Sequence, residues 1–130
     1  MDEYTIDSHL DAMCALIAEE LEAHADGRAY TDVDGNLIML DADEDPTDEM
    51  EYRGLYDFIN DALGIEVTLG LSGDYRGAKL YTTVGKPTIW VNTQTGFVEG
   101  RWGTDSCSKW VYSDAIDELN DAIEELIETR

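Results

Sequence analysis

The run IEVTLGLSGDYRGAKLYTTV, Ile65 to Val84, decides the fold. Ile65, Val67, Leu69 and Leu71 alternate with smaller or polar residues, the period of two that sends successive side chains to opposite faces of a half-buried strand. After the turn SGDYRG the period resumes, with Ala78, Leu80, Thr82 and Val84 on one side and Lys79, Tyr81 and Thr83 on the other. Two such runs joined by a glycine-bearing turn predict an antiparallel pair. Gly85-Lys86-Pro87 then breaks the second strand, and TIWVN and FVEGRW flank TQTG as a further hairpin in which Gly96 supplies the positive φ. KWVY, after the loop GTDSCS, is a candidate fifth short strand.

On either side of this block the period changes to that of helices. From about Ser8 to Ala25, Leu10, Met13, Cys14, Ile17 and Leu21 form one apolar stripe that Gly27 ends, opposite Asp11, Glu19, Glu20 and Glu22. Asp34-Gly35-Asn36 signals a turn before a short strand at Leu37 to Leu40. Pro46-Thr47 offers a helix entry, and Leu55, Phe58, Ile59 and Leu63 give a second stripe ending at Gly64, with Gly54 inside it. Ser113 is a suitable N-cap for a last helix carrying Ile116, Leu119, Ile123 and Ile127. The expected fold is one α+β domain over residues 1–130: an antiparallel sheet of about four strands packed with two N-terminal helices and one C-terminal helix.

Cys14 and Cys107 lie far apart and form no metal-binding or disulfide-framework spacing, so they read as plain thiols. The N-terminus MDEYTID lacks the basic and apolar regions of a signal peptide, and no apolar run reaches the roughly 18 residues of a membrane span. These features predict a cytoplasmic protein.

The formal net charge is −22. It opposes direct binding to nucleic acid or to an anionic membrane, both of which carry the same sign. Its distribution is uneven. Residues 1–51 hold 17 acidic and 1 basic residue, residues 65–112 hold 4 acidic and 5 basic, and residues 113–130 hold 7 acidic and 1 basic. The densest run is LDADEDPTDEME, in which Asp41, Asp43, Glu44, Asp45, Asp48, Glu49 and Glu51 follow one another with no lysine or arginine between them. The last helix places Asp114, Asp117, Glu118, Asp121, Glu124, Glu125 and Glu128 away from its isoleucine stripe, stepping three or four residues at a time. That step spaces the carboxylates about 5 to 6 Å apart at ~1.5 Å per residue, against about 3.4 Å of axial rise per phosphate along one DNA strand. The spacings are comparable without matching. A uniform solubility coat would suppress cations everywhere, yet Arg76, Lys79, Lys86, Arg101 and Lys109 persist in the strand region.

Other chemistry is sparse. Asp41, Asp43 and Asp45 imitate the start of a calcium loop, but Pro46 stands where glycine is needed and Tyr52 where the bidentate glutamate belongs, so no metal site is implied. His9 reads as an exposed polar residue and His24 as a helix C-terminal residue favoured by the dipole. GKPT lacks the Walker framework and no nucleophile motif occurs, so neither an enzyme nor a cofactor is expected. Trp90, Trp102, Trp110, Tyr75 and Tyr81 are expected to pack in the sheet, with an exposed subset available as interface anchors.

In size and in the acid placement of LDADEDPTDEME and DAIDELNDAIEELIE, the chain resembles the phage-encoded DNA-mimic inhibitors of the anti-CRISPR and antirestriction type. The block GDYRGAKLYTTVGKPTIWVNTQTGFVEGRWG is similar to small proteins of gut bacteria and their prophages. The first resemblance implies stoichiometric inhibition of a basic nucleic-acid-binding protein, a CRISPR effector or a restriction enzyme, and the placement of the charge makes the carboxylates from Asp41 to Glu51 and Asp114, Asp117, Glu118, Asp121, Glu124 and Glu125 the expected contacts. The competing expectations are an acidic or halophile-adapted binding module for a basic partner, and a calcium-responsive protein.

Overall fold

A computed structural model of the chain describes the backbone of residues 6–128 and the side chains of residues 9–128. The first residues of MDEYTID and the side chain of Ser8 lie outside that description. The elements run α1 (Ile6–Ala25), β1 (Ala29–Thr31), β2 (Leu37–Met39), β3 (Glu51–Arg53), α2 (Leu55–Asp61), β4 (Gly64–Leu69), β5 (Tyr75–Thr83), β6 (Thr88–Asn92), β7 (Phe97–Trp102), β8 (Asp105–Trp110) and α3 (Ser113–Glu128). The class is α+β, as the change of period predicts. The sheet content differs: a five-stranded antiparallel meander in the order β4-β5-β6-β7-β8 stands beside a three-stranded sheet in the order β2-β1-β3.

Alternation builds the meander. Ala78 and Leu80 of β5, Ile89 and Val91 of β6 and Val98 of β7 point to one face and are buried. Leu10, Cys14 and Leu21 of α1, Phe58 and Ile59 of α2, and Ile116, Leu119 and Ile123 of α3 cover that face in one apolar cluster. The opposite face carries no helix among the described residues and presents Lys79, Tyr81, Trp90, Glu99 and Arg101. β4 is the exception to the burial pattern. It was expected half-buried, yet Ile65, Val67 and Leu69 are exposed because β4 is an edge strand at the margin of the helix layer.

Three further corrections have local causes. Residues that read as the entry to a second helix instead run as an exposed loop into β3, and α2 spans only Leu55–Asp61. Carboxylates at helical i,i+3 and i,i+4 spacing would repel one another, whereas Glu51, Tyr52 and Arg53 find partners in Thr31, Tyr30 and Ala29. Gly54 is extended and caps α2 rather than lying within it: its N–H donates to Asp57 Oδ2 at 2.9 Å and its carbonyl accepts from Phe58 N–H at 3.2 Å. Before β2, Asp32 Oδ1 accepts both the Asp34 and Asn36 N–H groups at 2.9 Å, the turn signalled by Asp34-Gly35-Asn36. β8 begins at Asp105, so most of the stretch read as the loop GTDSCS is strand, paired Gly100↔Cys107 and Trp102↔Asp105 with β7.

The cysteines are not plain thiols. α1 lies across β7 and β8, and Cys14 is disulfide-bonded to Cys107 across 93 residues of sequence. Gly100 sits under this bond. A Cβ there would stand 2.8 Å from Cys14 Sγ and 3.1 Å from Cys107 Sγ, so only glycine lets the helix approach the sheet this closely.

His24 is corrected as well. It ends α1 but is buried, with 4% of its surface exposed, against Phe58 at a ring-centroid distance of 5.2 Å. Its Nδ1–H donates to the Glu20 carbonyl at 2.7 Å. Burial holds its pKa below the usual histidine range, so the ring is a neutral core residue and not a charged partner of the helix dipole. His9 is exposed, as expected, and lies edge-on to Trp102 at 5.9 Å.

Candidate functional site

The helix stripe that buries Ile116, Leu119 and Ile123 determines where the carboxylates of α3 go. Asp114, Asp117, Glu118, Asp121, Glu125 and Glu128 are exposed; Glu124 is half-buried on the flank towards Tyr75. Glu118, Asp121 and Glu125 form one wall of an open groove of about 450 Å³ whose other wall is Tyr52, Gly54, Leu55 and Tyr56. The acidic loop runs into this second wall, because Glu51 and Tyr52 begin β3. Asp41, Asp43, Glu44, Asp45, Asp48 and Glu49 are all exposed on that loop and do not line the groove. Hydrogen bonds within the loop, Asp41 N–H to Glu44 Oε1 at 2.8 Å and Met50 N–H to the Thr47 carbonyl at 3.1 Å, shape it without neutralising it.

The end of α1 extends the same surface. Tyr112, just before α3, donates its hydroxyl to Asp26 and its backbone N–H to Glu22 Oε2 at 3.3 Å. Burial, the Asp26 hydrogen bond and the charges of Asp26, Glu22 and Glu118 push the Tyr112 hydroxyl far above the usual tyrosine range. Tyr56 is raised too, chiefly by its hydrogen bond to Glu125. Carboxylates of both α1 and α3 thus act on Tyr112, whereas only Glu125 of α3 acts on Tyr56.

Among the described residues, the densest acid carries no ion pair. The ion pairs among the described residues are Arg28–Asp26, Arg53–Asp61 and Arg76–Asp74, and none involves α3 or the run from Asp41 to Glu51. On the face of the meander away from the helices, Lys79 Nζ sits 5.7 Å from the centre of the Trp90 ring, whereas Lys109 is half-buried on the helix side, paired with Val98. Trp90 in turn donates Nε1–H to Glu99 at 2.7 Å. Trp102 and Tyr75 pack against the core, while Trp110 is exposed on the outer face.

The sequence therefore identifies the acidic segments but not Tyr52, Tyr56, Glu22 or Asp26 as their neighbours. Tyr52 is 60% exposed. Two partly exposed aromatic rings inside an anionic groove can supply apolar anchors where carboxylates supply charge. Among the described residues no three histidine, cysteine or acidic side chains are grouped to hold a metal ion. No described helix is long and apolar enough to cross a membrane.

The chain matches no protein family, no curated protein and no solved structure.

Proposed function

We propose that this protein is a non-catalytic DNA-mimic inhibitor that occupies the nucleic-acid channel of a basic defence protein, a CRISPR effector ahead of a restriction enzyme. One observation carries the reading: the α3 carboxylates Glu118, Asp121 and Glu125 and the strand continuing the acidic loop line one groove, with no ion pair on either acidic segment among the described residues. Lysine and arginine side chains that normally hold phosphates would pair with these carboxylates, and complementary potentials would speed encounter. The cations retained across the strand region weigh against an even halophile coat.

Competition for DNA binding tests it. The wild-type protein should release labelled DNA from a responsive effector at about one inhibitor per site, and Glu118→Gln/Asp121→Asn/Glu125→Gln should weaken that release at least tenfold, about 1.4 kcal/mol. Release unchanged by these substitutions and by neutralising Asp41 to Glu51, or no release from any effector, would remove the reading. An acidic binding module for a basic partner that does not bind nucleic acid would then be left.

A further inference from the structure

The segment LGIEVTLGL, Leu63 to Leu71, reads the same in both directions by residue class: Leu63 with Leu71, Gly64 with Gly70, Ile65 with Leu69, Glu66 with Thr68, and Val67 at the centre. Its middle is β4, the first strand in the order of the meander, so one of its edges carries no strand among the described residues. An open edge presents unpaired backbone N–H and C=O groups and is a template for another strand. Natural edges are usually blunted by charge, proline or brevity. This one has six strand residues, no proline and a single carboxylate in the nine-residue segment.

The side chains are arranged for company. Ile65, Val67 and Leu69 share the face of β4 that looks towards the helix layer, since Ile65 and Val67 pair with the buried Leu80 and Ala78. They stay exposed all the same: Leu69 is 53% exposed, and the flanking Leu63 and Leu71 reach 67% and 110%. Ile65 and Val67 form one side of an apolar groove of about 440 Å³ closed by Ile59, Ile123 and Ile127.

We propose that β4 is a two-fold seam at which two copies of this chain pair antiparallel, joining their meanders into one ten-stranded sheet. A two-fold axis makes an interface self-complementary, so residues equidistant from the axis must suit each other. With the axis at Val67, each Ile65 meets Leu69 of the second copy and each Glu66 meets Thr68. Directly opposed apolar pairs of this kind are the unit of sheet stabilisation. Neighbouring registers fit worse. A slip of one residue sends the two apolar faces to opposite sides of the joint sheet, and an axis at Glu66 opposes two like charges. Charge selects the seam as well: each copy carries −22, and β4 is a long exposed segment with almost none of it, its one carboxylate accepting from Tyr81 at 3.2 Å. The pairing is independent of the inhibitor reading and leaves the loop and α3 groove open on both copies.

Sedimentation equilibrium of the whole protein at tens of micromolar should show a dimer whose association strengthens as salt screens the repulsion between copies. Val67→Lys, which places a charge against itself at the axis, should raise the dissociation constant at least tenfold while the circular dichroism spectrum is kept. Should that variant fail to fold, cross-linking decides: Val67→Cys should form an inter-chain disulfide on mild oxidation, located by mass spectrometry, and Ile65→Cys should not. A protein that stays monomeric at every salt concentration overturns the proposal. So does a dimer that survives Val67→Lys, or one in which Val67→Cys does not cross-link.

Discussion

At the scale of single residues, His24 shows how burial reverses a sequence expectation. A histidine at a helix C-terminus is ordinarily stabilised as a cation. This one is packed under Phe58 with Arg53 close enough to disfavour its charge, and burial, the largest influence, holds it neutral even though Asp57 and Asp61 pull the other way. The unfolded chain has no such restraint and takes up a proton near pH 6.5. Below that pH the unfolded state binds a proton that the native state refuses, so stability falls as pH drops from about 6.5 towards the lower native value. The nearby Glu20 acts with the opposite sign, since burial raises its carboxyl and its native protonation favours folding in acid. A difference measurement separates them. Relative to His24→Gln, the wild type should lose up to about 1.4 kcal/mol for each pH unit traversed between its two pKa values, read by urea unfolding from pH 7.5 to 5. A difference that stays flat across that range would mean the ring titrates alike in both states.

Among the elements, what was legible depended on how local the signal is. α3 could be read from Ile116, Leu119 and Ile123 because a helix stripe needs only its own residues, and β5 to β7 could be read because Gly85, Pro87 and Gly96 punctuate a clean period of two. β1, β2 and β3 have three residues each, too short for a period to register; β2 could be read only from the turn Asp34-Gly35-Asn36 before it, and Glu51–Arg53 are extended only because Ala29–Thr31 lie beside them. The site divides in the same way. Its carboxylates are visible as composition, whereas the groove requires α3 to pack against α2 and so bring Glu118, Asp121 and Glu125 to Tyr52 and Tyr56. The bond between Cys14 and Cys107 is the extreme case, since neither residue has any local spacing to betray it. Closing so long a loop restricts the unfolded chain, typically by about 2–4 kcal/mol. Reduction should therefore lower the unfolding free energy by about 2–4 kcal/mol, and the urea midpoint with it, without unfolding the protein, because Leu10, Leu21 and Val98 still hold α1 to the meander. An unchanged midpoint after reduction, with thiol labelling proving the bond broken, would leave α1 held by packing alone.

For the whole molecule, charge acts in two directions that salt can separate. The carboxylates of the loop, the α1 terminus and α3 repel one another, and with no cation among them in the densest stretches the repulsion opposes folding. The Debye length shrinks from about 30 Å at 0.01 M to about 8 Å at 0.15 M, so added sodium chloride screens interactions between exposed segments while leaving the apolar cluster intact. Thermal unfolding should shift upward by a few degrees over that range, since about 1 kcal/mol corresponds to roughly 2–8 °C for domains of this size. The cluster running from Leu10 through Leu80 to Ile123 should nevertheless keep the protein folded at the low end. A halophile-adapted chain would instead unfold there. The same screening should weaken association with a basic partner, because that association uses the repelling groups as its attraction. Opposite slopes for stability and for partner binding against salt are therefore expected from one set of side chains, and neutralising Glu118, Asp121 and Glu125 should flatten both. If neutralisation flattens the stability slope but leaves the binding slope unchanged, the partner is being held by a different surface, and the outer sheet face around Trp90, Arg101 and Trp110 becomes the place to substitute next.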